Sequence, residues 1–283
     1  MIKIFSKAFE LLKENIIVVQ PLIIYLLMIG FIAAPISISN LMNYRVLLSI
    51  VTVLLFTAAF FAGWFYIVKL AISMRNEVYE TPEERSLAAI SLLKQFFTGV
   101  GEYFVPMTFA LIFYIVLIAG FSFAVYKFGV HHFGALNLNA DILKAINSGS
   151  YQDLYHSLSI NNIAKTDQIR LFHWSIYISL ASFIFSFLSL FYGAVILYDT
   201  RNPIKAVFLS LKFILFNFWG SLIVFLFLSL LNTILSILNI FSAMNVLISI
   251  ISLLLLFLYM SYHVMLVFLY YEEKTQDSCG GGA

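Results

Sequence analysis

Small and polar residues recur at helical spacing in two apolar segments of this 283-residue chain. Spacings of three and four residues place each series along one edge of a helix. In lipid, such residues let helix backbones approach closely and form hydrogen bonds across the gap. The two edges are predicted to face each other or a common neighbour, as a close-packed seam or as a polar path for a small solute, in which the Asn232 amide would matter most. The first series is Ser175, Ser179, Ser182, Ser186, Ser189 and Gly193, and the second is Ser229, Asn232, Ser236 and Asn239.

One ionisable side chain stands away from the ends of the apolar segments. His263 lies inside the sequence YMSYHVML. Ionisable groups at membrane depth are functional candidates by default, and imidazole can relay protons near neutral pH. The alternative is a neutral imidazole hydrogen-bonded to Ser261, Tyr262 or another helix. Lys69, near the end of its apolar segment, is predicted to extend its ammonium toward the interface.

Histidines and carboxylates gather between residues 128 and 170. A zinc site needs about four such ligands, but their spacing matches no ligand motif, so a solvated polar loop is favoured and no metal or cofactor is assigned. The motifs of metalloproteases, serine hydrolases and nucleotide-binding loops are missing, and the 14 acidic residues lie at or beyond the ends of the apolar segments. A protein that is not an enzyme is predicted. The residues considered for zinc are His131, His132, Asp141, Asp153, His156 and His173.

The elements that must position these residues are membrane-spanning helices. The chain is 62% hydrophobic and only 11% charged, far below the roughly 25% charged residues of soluble domains. Six apolar runs approach or exceed the ~20 residues that cross a bilayer. The first run follows Lys3, Lys7 and Lys13 but is longer than the apolar region of a secretory signal. The predicted spans are about 16–37, 46–70, 103–127, 171–198, 218–241 and 246–271, with an outer loop at 128–170.

The distribution of Lys and Arg predicts the orientation of these spans. Positive residues mark the cytoplasmic side of short loops. Eleven of the sixteen lie in segments on one side of the predicted spans, so both termini are predicted to be cytoplasmic in a cell-membrane protein. Residues 1–273 form a single membrane domain in this interpretation, and 274–283, with the single cysteine Cys279, form a disordered tail. Within the outer loop, ADILKAIN and SYQDLYHSL are predicted to form two short helices.

Three amphipathic helices are predicted on the cytoplasmic side. In NPIKAVFLSLKF, residues 202–213, Asn202 and Pro203 have the chemistry of a helix start. Residues 2–13 and 81–97 have similar patterns, and each of the three segments precedes an outward span. We interpret them as three repeats of interfacial helix, outward span and return span, although any inner-face amphipathic helix can end in Leu-Lys. The apolar faces comprise Ile204, Val207, Phe208 and Leu211, then Ile2, Phe5, Phe9 and Leu12, and then Leu87, Ile90, Leu93 and Phe97.

This pattern resembles a group of bacterial and archaeal six-span proteins that includes the membrane domain of glycerophosphoryl diester phosphodiesterases. The resemblance rests on the first amphipathic helix with Pro21 in the first span, on FFTGVGEYF at 96–104, on NPIKAVFLSLKFILFNFWG at 202–220 and on YYEEK at 270–274. It implies the six-span fold. It supplies no site residues, and no soluble stretch here matches the separate catalytic domain of the group's fused members.

Three functions are compatible with these features. The first is a non-catalytic scaffold or accessory module, whose inner-face helices dock a cytoplasmic protein; contact with the bilayer is expected, and nucleic acid is not. The second is the permease subunit of an ABC-type exporter that works with a separate ATPase. Discontinuous spans, which mark substrate sites in many transporters, are not evident from the sequence. The third is lipid handling, for which an apolar lateral opening between helices would be the structural sign.

Overall fold

The architecture is helical throughout the part of the chain that a computed structural model describes, residues 1–33, 44–75, 81–135, 165–242 and 245–280. Five helices are long and apolar enough to cross a membrane, and a sixth crossing is counted if residues 2–14 and 16–31, which are bent by 82°, cross together. The all-helical class is therefore confirmed for the described residues, and it fits a multi-pass membrane protein. The helices are α1 (Ile2–Glu14), a 3-10 turn (Ile16–Val19), α2 (Gln20–Ala33), α3 (Tyr44–Ser73), α4 (Pro82–Phe133), α5 (Lys165–Leu188), α6 (Tyr192–Tyr198), α7 (Pro203–Phe216), α8 (Phe218–Ser242) and α9 (Val246–Gly280).

The chain forms two compact units. The first contains residues 1–113 and 188–283, and the second contains residues 114–187. In the first unit the core lies along α3, α6 and α9, where Trp64 is 1% exposed. The indole Nε1 of Trp64 donates to the backbone oxygen of Val18 at 3.0 Å. This bond fixes the 3-10 turn after α1 against α3.

The second unit is a hairpin of the end of α4 and α5. Trp174 of α5 lies against Gly129, and its Nε1 donates to the Gly134 oxygen at 3.2 Å. Gly134 has a φ of 79°, the left-handed conformation in which glycine commonly terminates a helix. Arg170 donates to the next carbonyl, that of Ala135, at 3.1 Å. Two side chains of α5 therefore bond to the first two carbonyls after α4.

Glycines allow α3 and α4 to pack closely in the first unit. A Cβ on Gly63 would lie 2.7 Å from the ring of Phe96, and a Cβ on Gly99 would lie 2.5 Å from the Cβ of Tyr66. Each helix thus provides a glycine where the other places an aromatic ring. Such small-residue contacts are a general means of helix association in lipid.

The predicted start of the helix at residue 203 is confirmed. The Asn202 side chain accepts hydrogen bonds from the backbone N–H groups of Ile204 at 3.0 Å and Lys205 at 3.2 Å. This cap begins α7, which ends at Phe216, and Asn217 separates it from α8. Helix α1 is likewise separate from the following apolar segment, because the chain turns at Asn15.

The prediction of a separate helix at 81–97 is wrong. The segment continues without a break into the next apolar run as one helix of 52 residues. An amphipathic pattern followed by an apolar run does not by itself end a helix, and Gly99, which lies between the two, packs against the side chain of Tyr66 within the continuous helix. At the start of this helix the backbone N–H of Glu84 donates to the Thr81 hydroxyl at 3.2 Å, which caps it.

The apolar segment expected at 171–198 is one of the candidate spans, Ile169–Tyr198, but its helix is interrupted between Leu188 and Tyr192, which divides it into α5 and α6. One further boundary differs from the prediction. The tail expected to be disordered from residue 274 is helical to Gly280, since EEKTQDSC contains neither glycine nor proline. The predicted short helices of the outer loop, with Asp141, Asp153 and His156, lie outside the described residues.

Candidate functional site

A cluster of polar residues joins the ends of α3, α6 and α9. We call it the Glu272 cluster; it comprises Lys69, Arg75, Tyr198, Asp199, Tyr271, Glu272 and Gln276. Glu272 has 9% of its surface exposed and is the buried acidic residue of the described chain. A carboxylate in such surroundings must be paired or hydrogen-bonded to remain charged. Its partners therefore determine what the cluster can do.

Both carboxylate oxygens of Glu272 have donors within the chain. Arg75 Nη1 lies 3.0 Å from Oε1, and the Gln276 side-chain amide donates to the same oxygen at 3.2 Å. The Tyr198 hydroxyl donates to Oε2 at 2.8 Å. Arg75 follows the end of α3, and Tyr198 is the last residue of α6. One carboxylate thus links three helices.

A second pair of contacts reinforces the same end of α6. The Lys69 ammonium donates to the Leu197 backbone oxygen at 2.7 Å and lies 4.8 Å from the centroid of the Tyr198 ring. A cation at the carboxyl end of a helix is favourable because the terminal carbonyls carry partial negative charge. The Lys69 ammonium thus bonds within the chain, and its predicted position at the membrane interface stays a prediction. The Tyr271 hydroxyl donates to Asp199 Oδ2 at 2.5 Å.

Two ion pairs extend these contacts to α1 and α4. Lys7 of α1 lies 2.5 Å from Glu273 Oε1. Arg201 pairs with Glu102 of α4, and its guanidinium also lies 5.1 Å from the centroid of the Tyr103 ring. The Arg201–Glu102 pair is more exposed than the Arg75–Glu272 pair, with side-chain exposures of 58% and 37% against 17% and 12%. Polar contacts thus connect α1 to α9, and α4 to the segment that follows α6.

Sequence reasoning did not identify this cluster. It noted YYEEK at 270–274 only as part of a resemblance, yet its residues make contacts across the fold. Besides the bonds of Tyr271, Glu272 and Glu273, Tyr270 lies so close to Gly220 that a Cβ there would collide with its hydroxyl. Consecutive aromatic and acidic residues at the end of an apolar run were the available signal. Their partners lie far away in sequence, so pairing could not be read from the motif.

The first predicted polar series does not lie on one uninterrupted helix. Ser175, Ser179, Ser182 and Ser186 are exposed on α5, Ser189 lies in the break after α5, and Gly193 lies on α6. The Ser175 hydroxyl donates to the Phe172 oxygen of its own helix at 2.9 Å. A Cβ on Gly193 would lie 2.9 Å from the ring of Phe65. Of this series, Gly193 thus lies at a close helix contact.

Within the second unit, Ser182 and Ser186 line an open cavity of about 430 Å³ between α4 and α5. Tyr114 and Ser122 contribute further hydroxyl groups from α4, and Phe121 contributes apolar surface. The cavity gives the predicted solute path a local opening. Whether the series serves as a seam or a path stays a prediction.

The second series borders α9. The Asn239 side chain accepts a hydrogen bond from Ser252 of α9 at 3.4 Å. The Ser236 hydroxyl donates instead to the Asn232 backbone oxygen of its own helix at 2.8 Å. Ser229 is half-buried, and Asn232 is exposed. Among the described residues, this helix edge therefore contacts α9.

His263 lies in a short hydrogen-bonded chain between α9 and α8. Its Nδ1 lies 3.4 Å from the Tyr259 hydroxyl, which donates to the Leu228 backbone oxygen at 3.1 Å. A phenol has one proton to donate, so the imidazole N–H must donate to the phenol oxygen if both bonds form. This geometry favours a structural bond, and the proton relay stays a hypothesis.

The described histidines of the outer segment lie in the second unit. His131 and His132 have ring centroids 5.1 Å apart at the end of α4, and His173 lies 5.8 Å from the Phe133 ring. Among the described residues, no group of three or more His, Cys, Asp or Glu residues could hold a metal ion. The remaining zinc candidates belong to the outer loop and lie outside those residues.

Comparison of the chain with protein-family models, curated proteins and solved structures finds no match.

Proposed function

We propose that the chain is a non-catalytic, multi-pass membrane protein that acts as a scaffold or accessory module for a cytoplasmic protein. In this proposal six spans form three hairpins and both termini are cytoplasmic, the arrangement that the resemblance to the six-span phosphodiesterase membrane domain also implies. The Lys- and Arg-rich ends of the helices then form the cytoplasmic surface. The partner docks there on α1, α7 and the first turns of α4.

The observation that carries this proposal is the Glu272 cluster. It connects α3, α6 and α9 by bonds in which every oxygen of the Glu272 carboxylate has a donor within the chain. The Lys7–Glu273 and Arg201–Glu102 pairs add α1 and α4. Broken buried ion pairs are costly, so this end of the first unit resists rearrangement. A docking surface supported in this way keeps its shape when a partner binds.

The exposed faces of α1 and α7 support their interfacial position. The residues buried within the chain are Ala8, Leu11 and Leu12 of α1 and Ala206, Ser210, Phe213 and Ile214 of α7. In contrast, Ile2 is 83% exposed and Phe208 is 68% exposed. Each helix thus buries one apolar face and exposes further apolar side chains such as Ile2 and Phe208, while Lys3 and Lys205 are also exposed. This division matches helices that rest in the headgroup region.

The permease function remains the second candidate because one apolar segment is broken. In transporters, discontinuous helices often form the substrate site. The break between α5 and α6 places Phe191, which is fully buried, among the rings of Phe213, Tyr270 and Tyr271. A packed aromatic core at the break favours a structural role for Phe191 over a solute site. The observation nevertheless keeps transport as the alternative.

The test is purification of the full chain in mild detergent, with Lys205→Glu and Lys127→Glu as matched variants. Both lysines are exposed, and the proposal places Lys205 inside and Lys127 outside. For a scaffold, we expect a stoichiometric partner without ATP hydrolysis, which Lys205→Glu weakens and Lys127→Glu retains. A partner that hydrolyses MgATP would support the permease. A partner retained equally by both variants, or none in the wild type, would contradict docking on α7.

A further inference from the structure

An open apolar groove lies between α1, α8 and α9 in the first unit. We call it the α1–α8–α9 groove, and its volume is about 610 Å³, within the ~300–1,000 Å³ of cavities that bind small molecules. The α1 wall includes Phe5 and Phe9, the α8 wall includes Phe227 and Leu235, and the α9 wall includes Leu255. Phe5 and Phe227 are stacked with ring centroids 4.4 Å apart, so the α1 and α8 walls touch. Phe9 remains 61% exposed beside the opening.

The groove is chemically suited to a hydrocarbon. Three of its lining residues carry hydroxyls, and each has a partner within the chain. Tyr262 donates to the Phe5 oxygen at 3.1 Å, Tyr259 donates to the Leu228 oxygen at 3.1 Å, and Ser6 lies 3.5 Å from Glu10 Oε1. A polar ligand would lose its bonds to water on entry without gaining equivalent ones. The buried part of a ligand must therefore be apolar.

The direction of the groove indicates which kind of hydrocarbon binds in it. It extends along α8 from Phe227 to Leu235, a distance of ~12 Å at 1.5 Å per residue. Both α8 and α9 are long and apolar enough to cross a membrane. A groove parallel to such helices is parallel to the acyl chains of the surrounding lipid. The bilayer itself is therefore the source of the occupant.

Charged residues on α1 suit the phosphate headgroup of a lipid. Lys3 lies three residues before Ser6 and Lys13 four residues after Phe9, so each shares the helix face of a groove residue. Both lysines are exposed. Glu10 lies between them and reduces the local positive potential, whereas Lys7 is paired with Glu273. We propose that the α1–α8–α9 groove binds one acyl chain of a membrane phospholipid, with its phosphate beside Lys3.

The groove shares α1 with the proposed docking surface, but lipid binding alone tests it, without the partner. The variant Leu235→Trp places an indole in the groove. Its control is Ile237→Trp, because Ile237 is on the same helix, is 52% exposed and does not line the groove. The full chain is delipidated in detergent, dioleoyl phosphatidylglycerol is added, and native mass spectrometry counts the bound lipids. Thermal unfolding of each variant verifies folding.

We expect one tightly bound lipid on the wild type and on Ile237→Trp. For Leu235→Trp we expect an affinity for the lipid that is lower by about tenfold or more, because each methylene removed from apolar contact weakens binding several-fold. Leu255→Trp with the control Leu253→Trp repeats the comparison on α9, in case Leu235→Trp does not fold. Lys3→Glu should weaken binding by a smaller factor.

Three results would overturn the proposal. The first is equal lipid binding by the groove and control variants, which indicates lipid bound all around the protein. The second is the absence of a retained lipid on the wild type. The third is a dimer that Leu235→Trp dissociates, which would make the groove an interface between two copies of this chain.

Discussion

Substitution of Arg75 by Met should strongly destabilise the first unit. It removes the cation that faces Glu272, while the apolar part of the side chain is retained. Removing one partner of a buried ion pair costs roughly 3–5 kcal/mol. Both side chains keep some accessibility, 17% for Arg75 and 12% for Glu272, and Tyr198 and Gln276 still donate to the carboxylate. We therefore expect a loss of about 2–4 kcal/mol in the free energy of unfolding, toward the lower end of that range.

The measurement is unfolding of the full chain by SDS titration in mixed micelles, followed by tryptophan fluorescence. Arg75→Met, Glu272→Gln and the double variant complete a thermodynamic cycle, whose coupling energy for groups in direct contact is expected at about 1–3 kcal/mol. The matched control is Arg201→Met with Glu102→Gln. That pair is more exposed, and exposed pairs contribute roughly 0–1 kcal/mol.

The result that would refute this reasoning is a coupling energy near zero for Arg75 and Glu272, or one no larger than that of the control pair. The Glu272 cluster would then be a superficial contact. The proposal that it holds the helix ends in place would lose its main support.

Two further predictions test packing and orientation. Gly99→Ala should lower the free energy of unfolding by roughly 1–3 kcal/mol through overpacking against Tyr66. A Cβ on Gly101 would meet no atom within 4 Å, so Gly101→Ala should raise the free energy of unfolding by up to about 1 kcal/mol through helix propensity. The same titration measures both variants, and equal effects would contradict the close α3–α4 contact. In a background without the native cysteine, Lys205→Cys should react with a membrane-impermeant maleimide only after the inner face of the membrane is exposed. His131→Cys should react with the same reagent from outside. Labelling of both cysteines from one side would contradict the proposed orientation.

The sequence predicted the helical class and several local features because these depend on nearby residues. Apolar runs of about twenty residues need no tertiary information to be recognised as membrane helices. The Asn202 cap is similarly local, since its acceptor and the donors of Ile204 and Lys205 are separated by at most three residues. The break between α5 and α6 is different. No proline precedes it, and its residue Phe191 is held by aromatic rings of α7 and α9, which a reading of the local sequence cannot supply.

The Glu272 cluster escaped prediction for a related reason. Acidic and basic residues near the end of an apolar run are usually interpreted as solvated interfacial groups. The partners Arg75 and Glu272 are 197 residues apart in sequence, so only the folded chain shows that they meet. A site made by charges that are distant in sequence can therefore be recognised only from the tertiary structure, even where the helix that carries each residue is predictable.

Residue size explains which predicted helix edges became contacts. In a bilayer, hydrophobicity does not distinguish a lipid-facing surface from a packed one, because both are apolar. Close approach then depends on the absence of a side chain, and Gly63, Gly99 and Gly193 each lie under an aromatic ring. The hydroxyls of Ser175 and Ser236 instead bond to carbonyls of their own helices, which satisfies them without a neighbour. If glycines determine the helix contacts, Gly99→Ala should lower the free energy of unfolding more than replacement of any exposed serine of α5 by alanine. An unfolding titration that ranked these substitutions in the opposite order would make the serine series the main packing surface.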